Sequence, residues 1–318
     1  MKGIKSVFNM KHGLVVKDNA LMNASYNLEV TEQRLILLAI INARETQQGI
    51  TSDSKLEIHA NDYASQFHVT KEAAYKALKT AVNNLFERQF SFKEETKKGV
   101  GVVRSRWVSR IKYIDDSAIL EITFAPDVVP LITRLEKHFT SYQIQQVTQL
   151  TGKYAIRLYE LLIAWREVGK SPPIELSEFR AKLGVENDEY KAMNHFKSRV
   201  LEPSIKQINQ HTDITVSYEQ HKKGRTITGF SFRFKQKPQP KIETKRDSNT
   251  SGFIKLTDSQ RIKYGSKLAY DERVQSEYSH LIGTGNYEQF GQLLAEMLAE
   301  EKYIQTFFPL LLEHGFRA

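Results

Sequence analysis

Lys191, Asn194, His195, Ser198 and Arg199 fall on one side of a segment, about Glu189 to Asn209, that carries a helical pattern. Phe196, Val200, Leu201, Ile205 and Ile208 fall on the other. Side chains of the first kind donate to phosphates and base edges: Arg can grip guanine through two bonds, and Asn can grip adenine. The apolar side would hold such a helix rigid. Lys197 lies nearer the apolar boundary, from where its long stem can still carry the ammonium to a phosphate. Pro203 has no N–H and is expected to kink or interrupt the segment. A basic cluster on a helix is commonly just a solvated face, so the surrounding frame has to decide.

A weaker constellation stands earlier in the chain. Lys76, Lys79, Thr80 and Asn83 lie opposite Leu78, Val82 and Phe86, but Glu72 and Glu87 compete with them. Phosphate contact suits this face better than base reading. Two hairpins with Lys and Gly at their tips complete the set. One carries Lys97, Lys98, Arg104 and Arg106, the other Lys222, Lys223 and Arg225. Such tips suit the DNA backbone or a minor groove.

Enzymatic chemistry finds little support. A phosphate-binding loop would need glycine where Ala164 stands ahead of Gly169-Lys-Ser171. A nicking enzyme of the histidine-metal-tyrosine type would need two histidines flanking one residue, and none of the nine is so placed. Asp115-Asp116 reads as a turn between strands rather than a metal carboxylate pair. With no cysteine, disulfide scaffolds, thiolate zinc sites and cysteine nucleophiles are excluded. No catalytic residue, metal or cofactor is expected.

The formal net charge is +9, which suits a polyanionic partner. Residues 251–318 carry 7 Lys and Arg against 9 Asp and Glu, so the positive charge lies in the earlier three quarters. The first ten residues have no long apolar core or small-residue cleavage site, and Leu35–Ile41 is too short to span a bilayer. A soluble, cytoplasmic protein is expected.

The elements that would position these residues follow from periodicity and punctuation. Thr31–Arg44 has helical spacing with Thr31 as cap, and Leu56–Ile58 is a short strand. Asn61 caps a helix to Phe67, and Thr70 caps a longer one. Strands follow over Gln89–Glu94, Val100–Tyr113 and Ala118–Phe124. Helix, strand, helix, helix and basic-tipped hairpin is the order of a winged helix. The order recurs: a helix over Gly152–Glu167, a strand at Ile174–Leu176, a helix capped by Ser177 and ended by Gly184, the Glu189–Asn209 segment, then strands Ile214–Tyr218 and Thr226–Phe234.

The halves overlay at an offset of 116 residues, placing Ile58 on Ile174, Tyr63 on Phe179, Phe67 on Leu183 and Val69 on Val185. Further on the offset becomes 118, with Leu78 on Phe196 and Val82 on Val200. This is an internal duplication. The expected class is α+β: two tandem winged-helix domains, 1–140 and 141–235, a linker over 236–252 and a helical extension over 253–318. That extension includes helices over Thr257–Ala269 and Tyr287–Glu300 and carries no motif that assigns it a role.

Four stretches carry a resemblance: Val16-Lys-Asp-Asn-Ala-Leu-Met22, Leu28–Leu38, Arg157-Leu-Tyr-Glu-Leu-Leu162 and Phe196–Asn209. Together they resemble iteron-binding plasmid replication initiators over roughly residues 14–235. The resemblance implies monomers that bind short direct repeats at a plasmid origin, and dimers that bind an inverted repeat at their own promoter and repress it. It implies a base-reading C-terminal unit and an N-terminal unit that dimerises and also touches DNA. It further implies recruitment of the host initiator and replicative helicase, with no nuclease or ATPase activity. A winged-helix repressor without initiator activity is the alternative, and a DNA-processing enzyme the more distant one.

Overall fold

A computed structural model describes residues 13–46, 48–133, 139–166, 168–237, 256–282 and 287–316. Strand β1 (Leu14–Asp18) leads into the single turn α1 (Asn19–Met22), where the Asp18 carboxylate accepts from the Ala20 N–H at 2.7 Å. After β2 (Ser25–Tyr26) comes α2 (Val30–Thr46). Thr31, the expected cap, lies inside α2; the Glu32 carboxylate instead accepts from the Glu29 N–H at 2.8 Å. Every residue from Leu35 to Ala43 is buried, so α2 is a central core helix enclosed on nearly all sides.

Strand β3 (Leu56–His59), α3 (Ala60–Phe67) and α4 (Lys71–Leu85) follow. Asn61 lies within α3, and His59 holds the cap position. Thr70 caps α4 as its spacing predicts, accepting from the Ala73 N–H at 3.2 Å. Next come β4 (Gln89–Thr96), β5 (Gly99–Arg106), β6 (Val108–Ile114) and β7 (Ile119–Phe124). The single strand expected over Val100–Tyr113 is therefore two, broken at Trp107. That indole is wholly buried against Tyr26 and Phe90, with ring centroids 5.1 and 4.9 Å away. Alternation continues across the break, so periodicity could not reveal that the chain changes sheets there.

The pairing corrects the assignment of the first wing. One sheet has the order β3-β7-β6 and another β2-β4-β5. A winged helix pairs its early strand with the last of the two wing strands, so the wing is the β6–β7 hairpin. Its tip is Asp115-Asp-Ser117, a 3-10 turn. The β4–β5 hairpin with Lys97 and Lys98 is an insertion ahead of that wing.

The chain continues through α5 (Val128–Thr133), β8 (Phe139–Gln143), α6 (Gln145–Thr148) and α7 (Lys153–Ile163). Then come β9 (Ile174–Glu175), α8 (Leu176–Leu183), α9 (Met193–Phe196), α10 (Glu202–His211), β10 (Ile214–Lys223) and β11 (Thr226–Gln236). Their sheet order, β10-β11-β9, reproduces β6-β7-β3 of the first unit and bears out the duplication. Glu175 rather than Ser177 caps α8, accepting from the Ser177 and Glu178 N–H groups. Gly184 ends α8 in the left-handed region at φ 74°, as expected.

Both winged units share one continuous core running from Val15 to Phe234. Of the expected linker, residues 238–252 lie outside the described residues. The extension forms α11 (Asp258–Ala269), with Thr257 in a reciprocal cap with Gln260, then α12 (Glu272–Tyr278), α13 (Tyr287–Met297) and α14 (Glu301–Glu313). It is anchored to the winged-helix part of the chain. Strands β1 and β8 pair as an antiparallel ribbon. Alternate residues of that ribbon face opposite ways: Val15 enters the main core, whereas Leu14, Val16 and Phe139 join a second core with Leu268, Phe290 and Phe307. Gln143 donates to the Ser276 carbonyl at 2.7 Å, and Arg166 to the His280 carbonyl at 2.6 Å. Removing residues 251–318 would expose those three ribbon side chains, each worth about 1.5–3 kcal/mol when fully buried. Truncation is expected to lower the unfolding free energy by several kcal/mol, read as a lower urea midpoint, while leaving the face around Arg199 intact; an unchanged midpoint in a urea melt would contradict the shared core.

Candidate nucleic-acid interface

The second unit presents the more complete face. Phe196, Val200, Leu201 and Ile208 are buried, and Ile205 is half-buried. Phe196 is held among Phe179 and Phe230, each with a ring centroid 6.1 Å away. Lys191, Asn194, His195, Ser198 and Arg199 are all exposed. The expected division between buried and presented residues is therefore observed. Lys197 is half-buried, its ammonium 5.7 Å from the Tyr218 ring centroid, which fits a long stem lying along the apolar edge.

Two features depart from a simple helix. Residues 189–192 are not helical; the helix begins at Met193, so Lys191 stands in the preceding turn. Arg180 accounts for this. It donates to the carbonyls of Glu186, Glu189 and Tyr190 at 3.3, 2.6 and 3.1 Å, spending acceptors that a helix would have used internally. Its guanidinium also lies 5.2 Å over the Phe196 ring. The sequence pattern missed Arg180, because nothing in its spacing distinguishes it from other basic residues of α8.

The second departure is a π-helical turn, Lys197–Leu201, between α9 and α10. Pro203 explains it. Its ring would press on the Arg199 carbonyl and it supplies no N–H there, and widening the preceding turn relieves both. The expected interruption is thus a bulge that leaves the helix axis continuing, and it lies beneath Ser198 and Arg199.

The β10–β11 hairpin carries Lys222, Lys223 and Arg225, exposed around a tip turned by Gly224 at φ 62°.

The first unit brings fewer free cations to its helix. Lys76, Thr80 and Asn83 are exposed on α4. Lys79 is exposed too but pairs with Asp115 at the wing tip, 3.2 Å away. Lys97, Lys98 and Arg104 are exposed on the inserted hairpin. Arg106 is half-buried, donating to the Phe86 carbonyl at 2.6 Å and to Glu87 at 3.0 Å while lying 5.4 Å over the Phe86 ring. It ties β5 to the end of α4 and does not project from the tip. The tip of the first wing is therefore acidic and that of the second basic, which separates the two units more sharply than their helices do.

A buried ionic cluster joins α7 to β1, β2 and β8. Glu160 accepts from Lys17 at 2.6 Å, Tyr142 at 2.7 Å, Tyr26 at 2.8 Å and Arg157 at 3.1 Å. Burial alone would raise the Glu160 carboxyl, but the Lys17 ammonium and Arg157 guanidinium hold it at about 2. Burial pushes the Tyr26 and Tyr142 phenols well up, so both remain donors.

Among the described residues, no helix is long and apolar enough to cross a membrane.

Comparison with known proteins places these features. The family model described as "Initiator Replication protein, WH1" matches residues 14–163, and "Initiator Rep protein, WH2" matches residues 175–234. A replication initiation protein of Escherichia coli is 26% identical over 247 residues, covering 76% of this chain and 75% of that protein. The crystal structure of the WH1 domain of MSBI1.176, a replication protein isolated from a multiple sclerosis patient, is 60% identical. It covers 37% of this chain and 91% of that one, with a TM-score of 0.33. The Pi initiator protein, solved in complex with iteron DNA, is 21% identical with a TM-score of 0.51, covering 70% of this chain and 97% of that one.

Proposed function

The chain belongs to the initiator replication protein family, matched by its WH1 and WH2 models over most of its length, and on that footing we propose that it binds direct repeats at a plasmid origin and starts replication there. The family is one of winged-helix DNA binders and not a catalytic one. The observation that carries the proposal is the second unit: Asn194, His195, Ser198 and Arg199 stand exposed over a buried aromatic anchor, beside a basic wing. The relative solved on iteron DNA supports the choice of direct repeats as the target.

In this proposal the second unit, 141–235, reads bases through its helix. The first, 1–140, touches the backbone through Lys76, Asn83 and the inserted hairpin, and provides a dimer surface. Dimers, in exchange with monomers, bind an inverted repeat and repress the protein's own promoter. Bound monomers engage the host initiator and replicative helicase in the cytoplasm.

The experiment is a plasmid carrying the candidate repeats, with the protein supplied separately. Replication is expected, together with a footprint phased by helical turns over the repeats. Binding without replication would leave only a repressor.

Two substitutions separate base reading from backbone contact. Arg199→Ala is expected to weaken specific binding by about 1–3 kcal/mol and relax one base position. An unaltered footprint and affinity would remove Arg199 from the reading face. Lys222→Ala is expected to lower the slope of log affinity against log salt by about one unit, equally for all sequences. A wild-type slope would assign that wing to solvent.

A further inference from the structure

One position of the repeated fold carries different residues in the two units. Between α3 and α4 the left-handed residue is His68, at φ 51° and exposed. Between α8 and α9 it is Gly184, at φ 74°. The turn itself therefore accommodates a side chain. What forbids one at Gly184 is its neighbour, since a Cβ there would overlap the Tyr26 carbonyl oxygen in β2. Backbone of the second unit lies directly on backbone of the first.

Arg157 fastens the same junction from beneath. From α7, which packs on α10, it donates to the Met22 and Ala24 carbonyls of the first unit at 2.7 and 2.5 Å. Its Nε donates to the Lys182 carbonyl at the end of α8, at 2.8 Å. One planar guanidinium thus fixes α8 against the α1–β2 link, and Glu160 completes the tie by binding Lys17 of β1. Lys17, Arg157 and Glu160 are each 2% exposed or less, so water cannot readily replace any of these bonds. At the rim, Asn27 donates to Glu186 at 2.9 Å and Lys182 to Asn23 at 3.3 Å.

We propose that this seam sets the distance and rotation between the DNA contacts of the two units, making Gly184 and Arg157 positioning residues that determine the length of repeat the protein accepts. The inference rests on the DNA-binding reading above. A rigid pair of readers can match only one spacing. One inserted base pair moves the second contact by about 3.4 Å and turns it by about 35° around the duplex. Two units on a slack joint would absorb that change, whereas two units in backbone contact cannot.

The test compares full-length wild type and Gly184→Ala on duplexes holding the native repeat or the repeat with one base pair inserted between the two protected segments. Wild type is expected to bind the inserted repeat about tenfold or more weaker, the scale of a disrupted site. Gly184→Ala must separate the backbones, so its native-to-inserted ratio is expected to fall toward one. Should Gly184→Ala not melt cooperatively, the rim double variant Asn27→Ala, Lys182→Ala takes its place with the same expected direction. Because the chain has no cysteine, Ser65→Cys and Gln210→Cys allow spin labels on α3 and α10. Their distance distribution should be narrow in wild type and broader in the seam variant. A wild type indifferent to the insertion, or a folded seam variant keeping the wild-type ratio and a narrow distribution, would overturn the proposal. No binding to direct repeats at all would instead overturn the function proposed above.

Discussion

Replacing Glu160 by alanine is expected to destabilise the protein by about 3–5 kcal/mol, the scale of breaking a buried ion pair from one side. The substitution leaves Lys17 and Arg157 buried with no anion between them, and it strands the Tyr26 and Tyr142 hydroxyls. Arg157 retains its carbonyl partners, which limits the loss on that side. Trp107 gives the readout, because its wholly buried indole packs edge-on to Tyr26 at 5.1 Å. Urea melts followed by tryptophan fluorescence should show the midpoint falling sharply. A loss below about 1 kcal/mol, the size of an average substitution, would contradict a dry cluster.

The same group sets a pH dependence. Glu160 titrates at about 2 in the folded chain against an ordinary 4.5, so the unfolded chain binds its proton more readily between those values. Its stabilising contribution is complete above about pH 4.5 and disappears as pH falls through about 2. Glu160→Gln removes that acid-side slope in melts taken across this window.

Phe196→Ala has the second largest expected effect, about 3–5 kcal/mol from a cavity in a filled core. Phe196 is wholly buried among the rings of Phe179 and Phe230, and it lies beneath the Arg180 guanidinium that fixes the turn before α9. The loss should therefore reach the recognition face. Under conditions where the variant remains folded, specific binding is expected to fall more than binding to random DNA. An equal fall in both would mean that the aromatic anchor supports the fold without positioning the readers.

Local chemistry was legible at several positions where a residue acts on its own neighbours. Thr70 caps α4 because that role depends only on the adjoining turn, and Gly184 ends α8 as its position predicts, although the lack of a side chain there is required by the Tyr26 carbonyl. The separation of Phe196 and Val200 from Asn194 and Arg199 was legible because helical spacing sorts faces. Misreadings arose where two local choices were equally good. Glu175 displaced Ser177 as cap, its longer carboxylate reaching two N–H groups. At Trp107 the alternation ran on through a change of sheet.

The sequence by itself determined that this chain is a duplicated winged-helix protein with its stronger basic face in the second half. Periodicity, caps and charge are local and survive without coordinates. Tertiary structure alone decided which hairpin is the first wing, since strand pairing joins residues as distant as Leu56 and Ile122. It alone turned Arg157 and Glu160 from two charges on an apolar helix into a buried tie between α7 and the N-terminal strands. It also divided the two basic sets by availability, leaving Arg199 exposed while committing Arg106 to Phe86 and pairing Lys79 with Asp115. A side chain's charge is written in the sequence, but whether that charge is free to meet a phosphate depends on what the fold places beside it.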